Sequence, residues 1–258
     1  MPEGDTVYRT AKNLRAAIEG AVLTRCDIRV PKFATVDLTG ERVDEVLSRG
    51  KHLLMRVGDV SIHTHLKMEG SWHLYRHGTR WRRPAHSARI VLETTDWVAV
   101  GYSLGITEVI DRDDEHTVVG HLGPDLLGDD WNADEALRRL TADPDRAVGL
   151  ALLDQRVLAG LGNVYRGELC FLRGVLPTRP VGTIEHPEKI IALAHRLIHA
   201  NKDRAERTTT GTLRGATDWV YGRAGKPCLR CGTTILEGRL GETELQERET
   251  FWCPRCQT

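Results

Sequence analysis

Apolar side chains recur at Val7, Ala11, Leu14 and Ile18 and stop at Gly20, the period of an amphipathic helix over residues 5–19. From Val22 to about Tyr102 the pattern changes. Residues 22–30, 53–57, 60–64, 88–92 and 97–100 are short β-like runs broken by Gly, Pro and Asp, which predict an antiparallel sandwich or barrel. After a stretch holding Gly120, Gly123, Pro124, Gly128 and Asn132, the helical period returns over residues 134–141, 146–159, 164–173 and 187–202. The last of these puts Ile190, Ile191, Ala194, Leu197 and Ile198 on one side. From about Tyr221 the chain is rich in Gly and Cys. The expected fold class is α+β: an N-terminal helix with an antiparallel β-sandwich in residues 1–122, a linker over 123–131, a helical domain over 132–220 and a small terminal module over 221–258.

A chain of 258 residues is long enough for one large core or two modest ones. Lys plus Arg equals Asp plus Glu at 36 each, so the total charge points to no polyanionic partner. Its distribution is less even. Residues 93–145 hold fourteen acidic residues against three arginines, whereas residues 76–89 hold five arginines and no acid. Residues 196–230 carry eight Lys or Arg against three acids, so basic faces suited to nucleic acid are compatible with a neutral sum. No apolar run approaches the ~20 residues of a membrane span, and the N-terminus lacks a signal-peptide core. The expectation is a cytoplasmic protein that does not enter a membrane.

Four of the six cysteines form two Cys-x-x-Cys pairs, Cys228 with Cys231 and Cys253 with Cys256. In a reducing compartment two such knuckles read as one structural Zn held by four thiolates. The 21 residues between the pairs must supply a hairpin over residues 235–251, and Arg248, held by it, is a candidate phosphate clamp. Cys26 and Cys170 read as core residues.

The first residues carry a different chemistry. Removal of Met1, which a small second residue permits, leaves Pro2 with a free secondary amine. An α-amino group titrates near ~8, well below a lysine, so Pro2 is a candidate Schiff-base nucleophile. Glu3 beside it is a candidate general acid. Further on, Gly160-Leu161-Gly162-Asn163 separates two helical stretches. Glycines there favour close approach of another backbone, and Asn163, opening the second helix, is placed either to cap it or to donate to a phosphate.

Taken in order, these segments resemble the formamidopyrimidine-DNA glycosylase and endonuclease VIII family of base-excision repair enzymes. The resemblance rests on Pro2-Glu3-Gly4, Ser48-Arg49-Gly50-Lys51-His52-Leu53-Leu54, His65-Leu66-Lys67-Met68-Glu69-Gly70 and Leu122-Gly123-Pro124-Asp125. It continues through Leu153-Asp154-Gln155 to Gly160-Leu161-Gly162-Asn163-Val164-Tyr165, Val220-Tyr221-Gly222-Arg223, and the run from Arg248 to Gln257. It implies a helix-two-turn-helix domain ending in a zinc-finger β-hairpin, and a DNA partner, duplex or partly single-stranded, with the damaged nucleotide flipped out. A monomer associated with the nucleoid is expected.

Carried over by position, Pro2 resembles the family's nucleophile at the sugar C1′ and Glu3 its proton donor. Lys51 matches the strand lysine that contacts the lesion phosphate and is assigned to β-elimination. Asn163 matches the phosphate-binding asparagine, and Arg248 the finger arginine assigned to a second phosphate and δ-elimination. Met68 matches the wedge filling the void left by the flipped base. Three departures from the family pattern stand out. Asp5 and Thr6 stand where a Pro-Glu pair is usual. Tyr102-Ser103-Leu104-Gly105-Ile106 replaces the Asp-Pro-Arg-Arg-Phe loop of the 8-oxoguanine branch, and the chain between Thr212-Leu213-Arg214 and Val220 is short. The expected activity is therefore removal of oxidised pyrimidines with β,δ-elimination. The alternatives are an 8-oxoguanine and formamidopyrimidine glycosylase of the same mechanism and a non-catalytic damaged-DNA-binding protein. Arg76 to Arg89, with Trp81, is a further candidate for touching DNA.

Overall fold

The computed structural model describes residues 2–258, so the removal of Met1 falls outside the described residues. The fold is α+β and separates into two compact units, residues 6–121 with Pro2, and residues 122–258 with Glu3–Asp5. No helix among the described residues is long and apolar enough to cross a membrane.

In the first unit, helix α1 (Gly4–Ile18) is followed by strands β1 (Arg25–Ile28), β2 (Val43–Arg49), β3 (His52–Val57), β4 (Val60–His65), β5 (Ser71–Tyr75), β6 (Ala88–Glu93), β7 (Val98–Tyr102) and β8 (Ile106–Asp111), then the short helix α2 (Glu115–Val119). The strands form two antiparallel sheets of four, ordered β1-β6-β7-β5 and β2-β3-β4-β8. Val7, Ala11, Leu14 and Ile18 of α1 bury their stripe in the core with Val43, Val46, Met55, Ile62, Ile90 and Leu92 from both sheets.

Three strands, β2, β5 and β8, lie outside the runs read from the sequence. In β2 only Val43 and Val46 are buried, and a register shift between Val43 and Glu45 breaks the two-residue alternation. The run at 22–30 contracts to β1 plus one bridge from Val22 to Arg42.

The second unit contains α3 (Ala133–Leu140), α4 (Val148–Ala151), α5 (Asn163–Arg173), α6 (Glu188–Asn201) and the hairpin of β9 (Leu236–Leu240) with β10 (Arg248–Trp252). The helix expected over 146–159 is the main correction, because only the four residues of α4 are helical. Beyond them, side chains satisfy the backbone in a non-helical path: Asp154 accepts from Arg156 N, and Gln155 donates to the carbonyls of Leu153 and Leu161 and accepts from Gly160 N. The chain then runs through turns to a parallel bridge between Asp125 and Ala159, so Leu152, Val157 and Leu158 are buried outside any helix.

Candidate active site

Glu3 has no exposed surface. Its Oε2 accepts from Gly162 N at 2.7 Å and Tyr165 N at 3.4 Å, and its Oε1 accepts from Val164 N at 2.8 Å. These are the otherwise unpaired donors that open α5, so Glu3 caps a helix remote from it in sequence. The glycines make this approach possible. A Cβ on Gly162 would lie 2.5 Å from the Glu3 carboxyl carbon, and one on Gly4 would lie 2.9 Å from Gly160 Cα. Gly4 N donates to Gly160 O at 2.8 Å, and Gly160 itself adopts a φ of 111°.

Asn163 is therefore not the cap. Its side-chain amide donates to Glu249 O at 2.9 Å, and Arg166 donates to the same carbonyl at 2.7 Å and to Thr250 Oγ1 at 2.6 Å. Burial lowers the pKa of Arg166 to about 10. Arg248, exposed at the start of β10, adjoins that carbonyl. The first turn of α5 thus gathers Glu3, Asn163 and the strand that carries Arg248.

Two residues beside Glu3 were not identified from the sequence. Asp5 is buried and accepts from Arg207 Nε at 2.7 Å, Arg207 Nη2 at 2.6 Å and the Tyr165 hydroxyl at 3.0 Å. The guanidinium lies 4.8 Å from the Tyr165 ring centroid, and its Nη1 is 3.8 Å from Glu3 Oε1. Burial opposes the Arg207 charge, but the Asp5 hydrogen bonds and the Glu3 and Asp5 carboxylates outweigh it and raise its pKa. Burial, with Asp5 behind it, raises the Tyr165 pKa. Asp5 read as a departure and Arg207 as one charge in a basic run. Nothing local pairs them.

In the first unit Pro2 is half-buried. Lys51 is not within a strand: it shares with Gly50, at a φ of 58°, the two-residue turn joining β2 to β3. Behind it stands a histidine cluster. His52 Nδ1 lies 2.8 Å from His63 Nε2, and His63 Nδ1 lies 2.7 Å from Glu108 Oε1. His52 and His65 meet edge to face, with centroids 5.0 Å apart. Burial first, then the neighbouring imidazoles and Lys67, pushes the His52 pKa down to about 3. Burial, then Lys67 and Lys51, pushes His65 down to about 4.

His65 leads into the Met68 loop, where Gly70 N closes on Leu66 O at 2.9 Å and Lys67 takes a φ of 51°. That turn leaves Met68 61% exposed at its tip, which excludes a core role. Residues 103–105 form a tight crossing from β7 in one sheet to β8 in the other, with Leu104 buried. Trp81 packs near Tyr75 and Tyr102, and Arg83 bonds Ser71 Oγ and Glu69 O, so the arginine-rich segment is anchored to the sandwich.

The four cysteine sulfurs converge. Cys231 and Cys253 Sγ are 3.5 Å apart, Cys228 and Cys256 Sγ are 4.0 Å apart, and all four lie within 4.8 Å of one another. A tetrahedron with Zn–S bonds of ~2.3 Å has edges of ~3.8 Å, so the donor set fits one zinc ion and is too open for disulfides. Gly232 turns the first knuckle at a φ of 77°. Gln257 locks the second, accepting from Cys253 N and donating to Val175 O. Cys26 and Cys170 lie outside this group. Phe171, Val220, Ile235 and Phe251 pack around the finger.

Comparison with known proteins agrees with these parts. Residues 1–103 match the formamidopyrimidine-DNA glycosylase N-terminal domain, residues 122–213 its H2TH domain and residues 225–258 a zinc finger found in FPG and IleRS. The chain is 57% identical over 259 residues to the "DNA-(apurinic or apyrimidinic site) lyase Nei2" of Mycolicibacterium smegmatis, covering 100% of this chain and 99% of that one. It is 54% identical over 262 residues to "Endonuclease 8 2" of Mycobacterium tuberculosis, covering 100% of both. In fold it is similar to the Lactococcus lactis Fpg protein solved with DNA containing an abasic site, with a TM-score of 0.82, 22% identity and 99% of each chain covered. Its four-thiolate finger, its glycine turn and its full-length likeness to these relatives establish that the chain belongs to the formamidopyrimidine-DNA glycosylase and endonuclease VIII family, on the endonuclease VIII branch.

Proposed function

We propose that this chain is a DNA glycosylase with abasic-site lyase activity that removes oxidised pyrimidines. The observation that carries the reading is the placement of Glu3: three backbone N–H groups fix its carboxyl one residue from the candidate amine. Freed of Met1, the Pro2 nitrogen attacks the sugar C1′ and the bond from C1′ to the base breaks. Glu3 gives the proton that opens the sugar and helps the base leave, which yields an iminium between Pro2 and C1′. The iminium acidifies the C2′ proton. Its loss expels the 3′ phosphate, with Lys51 at the lesion phosphate, and a second elimination expels the 5′ phosphate. Asn163 and Arg248 hold the flanking phosphates, and Met68 fills the space left by the flipped base.

Cys228, Cys231, Cys253 and Cys256 would hold one zinc ion, whose contribution would be to fix the finger that carries Arg248. Preference for a pyrimidine is supported by the short segment after Arg207. Thr209 N and Thr210 N both bond Thr217 O, closing a loop with little length to cover a purine. The protein acts as a monomer on duplex or partly single-stranded DNA, in the cytoplasm at the nucleoid.

Borohydride trapping of the Met1-free protein tests this. The expected result is an adduct at Pro2 on both an abasic duplex and a thymine glycol duplex, located by mass spectrometry. An adduct on the abasic duplex and 8-oxoguanine alone would move the substrate to purines. No adduct with DNA still bound would leave a non-catalytic binding protein.

A further inference from the structure

The second carboxylate of the N-terminus, Asp5, is placed to restrain Arg207. It takes two hydrogen bonds from that guanidinium and one from the Tyr165 hydroxyl. The remaining guanidinium nitrogen, Nη1, faces Glu3 Oε1 at 3.8 Å, within ion-pair reach and beyond hydrogen-bond length. Oε2 of Glu3 accepts two backbone N–H groups and Oε1 accepts one, so Oε1 has the greater lone-pair capacity left for a proton. A guanidinium closing on Oε1 would occupy that capacity with a charge-assisted bond and favour the carboxylate. The other titratable groups around Glu3 are Tyr165, Arg166 and Tyr221. Arg207 is a cation within 4 Å of its carboxylate.

We propose that Asp5 is a positioning residue that keeps Arg207 engaged, 3.8 Å from Glu3, and so leaves Glu3 able to carry and deliver a proton. The inference rests on reading Glu3 as the acid. It makes Arg207 a threat to that acid once Asp5 is neutralised, an outcome opposite to that of a plain structural strut.

The test uses the full-length, Met1-free protein in single-turnover base excision from a thymine glycol duplex, strand cleavage at a preformed abasic site, and thermal unfolding. Asp5→Asn is expected to slow base excision by about 10- to 100-fold, the scale of a misplaced catalytic group. Abasic cleavage starts from a hemiacetal that opens to its aldehyde without enzyme acid and needs no departing base protonated, so it should change less than about threefold. Adding Arg207→Met should recover most of the lost excision, because the released guanidinium is gone. Parallel loss of both reactions, or a double variant no faster than Asp5→Asn, overturns the proposal. If Asp5→Asn does not fold, the double variant still decides: excision near wild type supports the proposal, and slow excision overturns it. Glu3→Gln is measured alongside. Undiminished excision there would remove the reading of Glu3 itself, a failure distinct from that of Asp5.

Discussion

Replacing Gly162 with alanine adds one methyl group at the point where the chain is tightest. Its backbone, at φ −130° and ψ −161°, is extended and suits alanine, so no conformational strain arises. The conflict is steric. The new Cβ would lie 2.5 Å from the Glu3 carboxyl carbon and 2.7 Å from Oε1, against the ~3.5–4.0 Å of an ordinary contact, so the carboxyl must retreat by about 1 Å. A 1 Å error in a catalytic group costs about 100-fold in rate. The retreat also loosens three helix-opening hydrogen bonds, and overpacking of this kind costs about 1–3 kcal/mol, or roughly 2–10 °C in Tm for a chain of this size. The assay is single-turnover excision with Tm measured in parallel. Gly167→Ala, on the same helix, is the control: its Cβ would meet only Val220 Cγ2, at 3.8 Å, and alanine is the better helix former by about 1 kcal/mol. Wild-type excision and Tm in Gly162→Ala would refute the packing argument and, with it, the importance of where Glu3 sits.

Cys253→Ser should lose zinc and weaken DNA binding through the finger, checked by metal analysis and by affinity for an abasic-site duplex; undiminished zinc content would contradict the site. Glu168, fully buried, accepts from the amides of Trp219, Val220 and Tyr221 and from Thr209 Oγ1. Glu168→Ala strands those donors and should cost about 3 kcal/mol or more, read by denaturant unfolding. His52 and His65, at about 3 and about 4, lie below the ordinary histidine value of 6.5, so the unfolded chain binds more protons. Their contribution is complete above pH 6.5 and is lost as pH falls toward 4 and then 3. Stability should decline over that window, and His52→Gln should flatten the decline. An unchanged slope would show that the cluster is not what couples folding to pH.

The local patterns that were legible share a short-range cause. The α1 stripe from Val7 to Ile18 reports a helix packed on one face, the spacing of Cys228, Cys231, Cys253 and Cys256 follows from the reach of a knuckle around a metal, and Pro2 beside Glu3 is chemistry carried by adjacent residues. Elements failed where long-range pairing overrode the local period. Leu150, Leu153, Val157 and Leu158 keep a helical spacing, yet the side-chain bonds of Asp154 and Gln155 and the bridge of Asp125 with Ala159 turn the backbone out of the helix. The strand β2 was hidden by its bulge. What the residues determined by themselves was the list of chemical groups and the rough order of helix, sandwich, helices and finger. Only the tertiary structure decided that Glu3 caps α5, that Asp5 holds Arg207, and that Asn163 bonds the strand carrying Arg248. Each of those contacts joins positions far apart in sequence, and the energy that selects them comes from burying charged groups only where partners meet them.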